Sequence, residues 1–337
     1  MTTELAERRK GRALALAIAA GAAAVIAAIT LTIDMRGARP DEASGPVVPQ
    51  LAESISRAQR ITVTSADATY RIERTQRGWA MRDRGDFPVL PGRLAQLTDG
   101  LEGLRYVRRM TSDPAKHERL GVGDPRQGGR GVMVQIEDGS RALLVDLILG
   151  IEPDGGLYVR RSGQDQVWSA RGELPPLRDI SAWLNLAPLE IEAASLARVA
   201  ITPAEGRSYV LARDSAEAPW MIVQPALEPL AQSALTATAE RLTTVSPVDV
   251  QEAPAVQGEA RARVQALTFD GVALEAELIE LDGRTWLKLV ARAQTPEQEE
   301  AALAINNRAA AWAYGLSASD AAALAPPLST LVPGAEE

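Results

Sequence analysis

The feature that most constrains this chain is a pattern of strands and one helix that occurs twice, about 140 residues apart. In the first occurrence, Ile61-Thr-Val63 alternates as a strand, turns at Ser65–Ala68, and returns through Tyr70-Arg-Ile72. After Gln76-Arg77-Gly78 comes a short third strand, Trp79-Ala-Met81. The second occurrence has Val199-Ala-Ile201, a turn at Pro203–Gly206, then Tyr209-Val-Leu211 and Trp220-Met-Ile222. A helix follows each meander. Leu90, Leu94, Leu97, Leu101 and Leu104 recur on one helical stripe, and Leu235, Ala239, Leu242 and Val245 keep the same spacing. Trp79 to Leu94 and Trp220 to Leu235 are both 15 residues.

Each pass closes on further sheet. Val132–Ile136 runs into the turn signal Glu137-Asp138-Gly139, and Ala142–Leu147 returns before Leu157-Tyr158-Val159. Its counterpart is Val264–Phe269, Asp270-Gly271, Val272–Leu278 and Trp286–Leu289, with no equivalent of Asp113–Arg126. The pattern predicts an α+β chain of two tandem, duplicated lobes, each a mostly antiparallel sheet covered by a helix. The lobes span 59–185 and 186–331, joined near Leu184–Ala194 after Pro175-Pro176, with a tail at 332–337. Asn306–Thr330 reads as helical segments around Trp312 and Tyr314, stopped by Pro326-Pro327. Trp79 and Trp220 are expected at equivalent positions, each beneath its own lobe's helix, in separate cores. Trp79 would then touch Leu94 or Leu97, and Trp220 would touch Leu235 or Leu242.

Ahead of the lobes, Ala13–Ile33 is 21 residues without a charge, directly behind Arg8, Arg9, Lys10 and Arg12. About 20 apolar residues cross a bilayer core as a helix, and the preceding basic cluster keeps residues 1–12 in the cytoplasm. The segment exceeds the roughly 7–15 residue core of a cleaved signal, so the expectation is a retained anchor with the bulk of the chain in the periplasm. Its small residues fall four apart on two stripes, Ala13, Ala17, Gly21 and Ala20, Ala24, Ala28, which would let a second membrane helix approach closely. Residues 34–58, with Pro40, Pro46, Pro49, Gly37 and Gly45, read as a linker that lifts the folded part off the bilayer.

Composition excludes several chemistries. There is no cysteine, hence no disulfide, thiolate nucleophile or lipoprotein anchor. The single histidine, His117, lies in a polar stretch and reads as a surface residue, and one histidine builds no histidine-ligated metal site. No Gly-x-Ser-x-Gly elbow, Ser-x-x-Lys or Walker lysine occurs. Gly121-Val122-Gly123 lacks the context of a phosphate loop and reads as a turn. The acid pairs Glu137/Asp138 and Glu275/Glu277 read as solvated positions at a hairpin tip and on an outward strand face. Catalytic, cofactor and metal residues are therefore assigned to none. Of the six tryptophans, Trp168, Trp183 and Trp312 are the least constrained by the repeat, and Trp168 and Trp183 are candidates for partner or ligand contact. Charge is uneven: residues 60–180 carry about +2 and residues 181–337 about −11 of the net −8. An acidic half argues against nucleic acid and against lying flat on an anionic membrane. Only three lysines occur beside many arginines and alanines, a composition expected of a GC-rich bacterial genome and here of a Gram-negative periplasm.

Several of these pieces occur together in a known group. A meander ends in Gly78-Trp79 and a leucine helix follows. Then come Glu118-Arg-Leu120-Gly121-Val-Gly-Asp124-Pro125, Leu157-Tyr158-Val159-Arg160, Val167-Trp168, and finally Trp312-Ala-Tyr314-Gly-Leu316. The chain resembles the bacterial family called domain of unknown function 4340. The resemblance implies a single-pass inner-membrane protein with periplasmic lobes. It also implies association with an ABC transporter of the gliding-motility type, through its permease and large auxiliary subunit and indirectly its ATPase. It carries over no catalytic residue and no cofactor. The function expected is a non-enzymatic accessory subunit; the alternative is a periplasmic enzyme or ligand-binding protein acting on cell-envelope glycans, with Trp168 or Trp183 in a cleft between the lobes.

Overall fold

A computed structural model describes residues 45–151, 156–228 and 231–332. The apolar segment 13–33, its two small-residue stripes and residues 34–44 of the linker lie outside these residues. Among the described residues, no helix is long and apolar enough to cross a membrane.

The first half of the chain forms a nine-stranded antiparallel sheet. Its strands are β1 (Ala58–Thr64), β2 (Thr69–Thr75), β3 (Gly78–Met81), β4 (Phe87–Pro88), β5 (Arg105–Arg109), β6 (Val132–Asp138), β7 (Leu143–Ile151), β8 (Leu157–Arg161) and β9 (Val167–Arg171). The second half forms another nine: β10 (Leu196–Thr202), β11 (Tyr209–Ala212), β12 (Met221–Gln224), β13 (Ala226–Leu227), β14 (Asp249–Glu252), β15 (Ala260–Thr268), β16 (Val272–Leu281), β17 (Arg284–Ala293) and β18 (Trp312–Gly315). The spatial orders are 4-3-2-1-6-7-8-9-5 and 13-12-11-10-15-16-17-18-14, the same order twice.

A one-turn helix α1 (Leu51–Ser54) precedes the first sheet. In each sheet a four-strand meander runs outward to one edge. A helix, α2 (Pro91–Gly103) or α3 (Gln232–Ala239), then carries the chain to the opposite edge strand. The helix must therefore cross a sheet face, which is why its apolar stripe is buried: Leu97, Leu101 and Leu104 in the first half, Leu235, Ala239 and Leu242 in the second. The chain returns to the sheet centre, β6 beside β1 and β15 beside β10, and a second meander fills the remaining side.

Register fixes the equivalences. Val63 faces Tyr70 and Ile72 faces Met81; Ile201 faces Tyr209 and Leu211 faces Ile222. Trp79 and Trp220 each stand two residues before the last of these, so they occupy the same place. The matching tyrosines also do the same job. Tyr70 donates to the Leu177 carbonyl and Tyr209 to the Pro326 carbonyl, both at 2.8 Å, tying a Pro-Pro strap across each lobe.

The halves differ where each carries an addition. Residues 110–131 form a knot of short 3-10 turns that the second half lacks. The second half inserts α4 (Glu299–Ala309) before β18 and adds α5 (Ala318–Leu324) after it. Residues 312–315, expected to be helical, are strand β18, paired with both β14 and β17. The helical reading failed there because apolar residues flanked by two real helices carry no period of their own. The end of the presumed linker is also not free: Val47 and Leu51 are buried, and the Val47 amide donates to the Leu104 carbonyl. The two cores are not separate either. One continuous apolar cluster runs from Ile61 and Leu101 through Trp183 to Leu235 and Tyr314.

Candidate functional site

The lobes meet edge to edge, and their seam opens into a cavity of about 870 Å³. The first lobe supplies β3 and the turn after it. Gly78, at φ 116°, makes the tight return from β2 that no side-chain-bearing residue adopts comfortably. Gly85 and Asp86 then sit consecutively in the left-handed region, at φ 65° and 60°, and reverse the chain into β4. A Cβ at Gly85 would lie 2.4 Å from Cγ of Glu252 on β14, so the close approach of the lobes requires glycine here.

Below the cavity the seam is sealed. Arg84 Nε donates to Asp249 Oδ1 at 2.5 Å, and Arg284 Nη1 donates to Asp249 Oδ2 at 2.7 Å. Phe87 sets its ring edge against Trp312, centroids 4.8 Å apart, and against Tyr314 at 6.5 Å. The cavity wall above contains Thr75, Arg77, Trp79 and Asp86 from the first lobe, and Glu252, Lys288, Asn307 and Trp312 from the second. Asp86 accepts from Arg82 through Oδ2 at 2.8 Å, while its Oδ1 is shielded and has no partner among the described residues. Two indoles, two carboxylates, two cations and an amide suit a ligand that offers both flat faces and hydrogen-bonding groups.

A second hollow, about 540 Å³, lies beside the 110–131 knot. Its charged groups are occupied in holding the knot. Arg160 is buried and donates to the Val122 carbonyl through Nε at 3.1 Å and Nη2 at 2.9 Å, and to the Gln164 carbonyl at 3.0 Å. Burial pushes its pKa down. Asp124 caps the turn that follows it and is held below the usual carboxylate range by the Arg126 guanidinium. Gly150 lets β7 touch this turn: a Cβ there would meet the Leu120 carbonyl oxygen at 2.3 Å. The Leu-Gly-x-x-Asp-Pro and Tyr-Val-Arg pieces thus form one clasp. Gly121-Val122-Gly123 is a turn, as expected. His117, read as a surface residue, is instead buried, with Nε2 2.9 Å from the Asp165 carbonyl oxygen. The knot folds back on itself and encloses it.

The other candidates fall elsewhere. Trp183 is fully buried, its indole donating to the Pro176 carbonyl at 3.2 Å and its ring 6.2 Å from Tyr70. It is therefore part of the core and not of the surface of the described fold. Trp168 is half-buried on β9, against Tyr106 at 4.9 Å, on the side of the first sheet away from the cavity. The tryptophans in the cavity wall are Trp79, expected from sequence in the core, and Trp312, one of the three that the repeat leaves unconstrained. Trp220, in contrast, is buried, donates to Glu240 at the end of α3, and lies under Arg213 at 4.6 Å. Arg213 and Glu240 close over Trp220, whereas Trp79 is only half-buried and stands in the cavity wall at the seam. The acid pairs are engaged in strand-face ion pairs or turns: Glu137 with Arg60, Glu275 with Arg292, Glu277 with Arg263, and Asp138 capping its hairpin. Among the described residues no cluster of three or more His, Asp or Glu side chains could hold a metal ion.

Comparison with known proteins gives one family. No curated protein and no solved structure shows a significant match. The family described as "Domain of unknown function (DUF4340)" matches residues 79–261. That match covers more than half of the chain, from Trp79 across the seam to the start of β15, and takes in the whole clasp. The chain belongs to the DUF4340 family.

Proposed function

We propose that this protein is a non-enzymatic, membrane-anchored periplasmic subunit of an ABC transport system, which holds the transporter's outer part or the exported substrate in the cleft between its lobes. The observation that carries the reading is that cleft: a wide opening walled by two tryptophans and mixed charges from both lobes. The anchor is the apolar segment 13–33 with its basic flank, which would leave both sheets outside the inner membrane and the N-terminus in the cytoplasm. The small-residue stripes would seat a permease helix. The repeated strand order, matched tyrosines and paired Pro-Pro straps support descent of both lobes from one duplicated ancestor. Purification of the full chain from membranes in mild detergent should recover a permease, an auxiliary subunit and an ATPase, and a Trp79→Ala/Trp312→Ala variant should recover less. Recovery of none of these from the unaltered chain would defeat the proposal.

A glycan-directed role is the second reading, because a cleft between the lobes does exist and pairs indoles with carboxylates. It would run through Trp79, Trp312, Asp86 and Glu252. Cell-envelope glycan fragments that bind the unaltered chain and not the double tryptophan variant would favour it over the first.

A further inference from the structure

We propose that β5, the free edge of the first lobe, is a docking strip for the anionic headgroups of the membrane in which the chain is anchored. The inference rests on the anchor reading of residues 13–33. Three observations converge on this edge.

The first is charge. Strand β5 reads Arg-Tyr-Val-Arg-Arg and pairs with β9. Tyr106, Trp168 and Ala170 pack towards the core. Arg105, Arg108 and Arg171 occupy the alternating positions, on the other face. All three are exposed, as are Arg109 and Val107. Arg105 donates only to the Glu102 and Leu104 carbonyls, and Arg109 only to the Gln166 side chain. None of the four arginines makes an ion pair among the described residues, whereas most strand-face arginines of the second lobe do.

The second is the comparison between lobes. By register, Arg105 and Arg109 take the places of Asp249 and Glu252 on β14. There the acids face the first lobe, and Asp249 is paired with Arg84. On β5 the sign is reversed and no lobe covers the strand. A surface that is acidic where it meets an arginine and basic where it is free is suited to a negative partner.

The third is where the chain comes from. It enters the described fold at Gly45 alongside this same edge: the Tyr106 amide donates to the Gly45 carbonyl at 3.1 Å, and Pro46 bridges to Arg105. Only 11 residues separate Ile33 from Gly45, a span of at most about 40 Å. The chain therefore leaves the described fold at β5, and this short tether lets that edge reach the headgroups, whose surface potential decays over about 10 Å. The acidic second lobe lies beyond the opposite edge of the sheet, where repulsion from the same headgroups would hold it away.

The absence of cysteine makes the test clean. A single thiol is introduced as Val107→Cys or, for comparison, Val248→Cys in the second lobe, and carries a nitroxide. The full chain is placed in nanodiscs of phosphatidylcholine with or without phosphatidylglycerol, and the distance of each label from the lipid surface is measured. We expect the Val107→Cys label to move to the headgroups only in anionic discs and to retreat in high salt. The Val248→Cys label should stay in water throughout. Replacing Arg105, Arg108 and Arg171 by glutamine should lower the docking equilibrium constant by about two orders of magnitude. Labels that behave alike at both sites, or a position indifferent to phosphatidylglycerol, would overturn the inference while the anchor stands. Label contacts that follow protein concentration in neutral discs would overturn it in favour of a second copy. A chain washed off the discs by alkali would overturn the anchor reading as well.

Discussion

Trp220→Ala and Trp79→Ala occupy one repeat position and should differ sharply in cost. Trp220 is 2 % exposed. Burying a tryptophan removes about 150–250 Å² from water, or about 4–6 kcal/mol at 25 cal/mol per Å², and measured truncations cost about 3–5 kcal/mol. The ring also lies under the buried Arg213 guanidinium at 4.6 Å, which would lose that face. Trp220→Ala should therefore cost about 4 kcal/mol. Trp79 faces the cleft, so its truncation enlarges a space already open to water and should cost about 1 kcal/mol. In thermal unfolding of a fragment beginning at Gly45, followed by near-ultraviolet circular dichroism, this corresponds to a midpoint drop of roughly 8 °C against 2 °C. Because the apolar core runs through both lobes, each protein should melt in one transition. Equal losses for the two variants would refute the argument from burial. Two separable transitions in the unaltered fragment would refute the continuous core.

Gly150→Ala should cost about 1–3 kcal/mol, because its Cβ would strike the Leu120 carbonyl oxygen and force the clasp apart. Gly92→Ala, in the first turn of α2 with nothing within 4 Å, should be neutral or stabilising in the same denaturant titration. Arg84→Ala leaves Asp249 with only Arg284 at the seam; it should cost about 1–3 kcal/mol and speed amide exchange in β14 more than in β6. Burial raises the phenol of Tyr314 to about 12, and those of Tyr70 and Tyr209 higher still. Their stabilising contribution is fully present below about pH 10, the ordinary tyrosine value, and is lost as pH rises through the folded value. Phenolate absorbance should thus rise in step with unfolding, and Tyr314→Phe should lessen the loss of stability near pH 12.

The meanders and the paired helices were legible because each writes its period locally: two in Ile61–Val63 and Val264–Phe269, near 3.6 in Leu90–Leu104. The edge strands β5 and β14, and β18 beside β14, wrote none. β5 is charged at three of five positions, and β14 and β18 are four residues each. Their partners are set by helices that cross the whole sheet, which no local window records. The strength of the repeat also misled the site reading. It placed both Trp79 and Trp220 in the core, while the contacts that cover Trp220, from Arg213 and Glu240, are no part of the repeated pattern. His117 was misread for a related reason: a polar stretch can enclose its own histidine once Arg160 and a run of glycines draw it into a knot.

The manner in which the lobes join has a consequence for assembly. The β4 edge of one meets the β14 edge of the other, so unlike edges of two related units are in contact, and the relation is a step rather than a two-fold rotation. A contact of that kind is not self-limiting in principle: the far ends, β13 and β5, are the same two edges again. Growth of this sort is arrested when the terminal edges no longer fit one another. Here the stop is visible in the sequence. Arg105 and Arg109 replace the acids that receive Arg84, and the short exposed β13 offers Ala226-Leu227 where β4 presents Phe87.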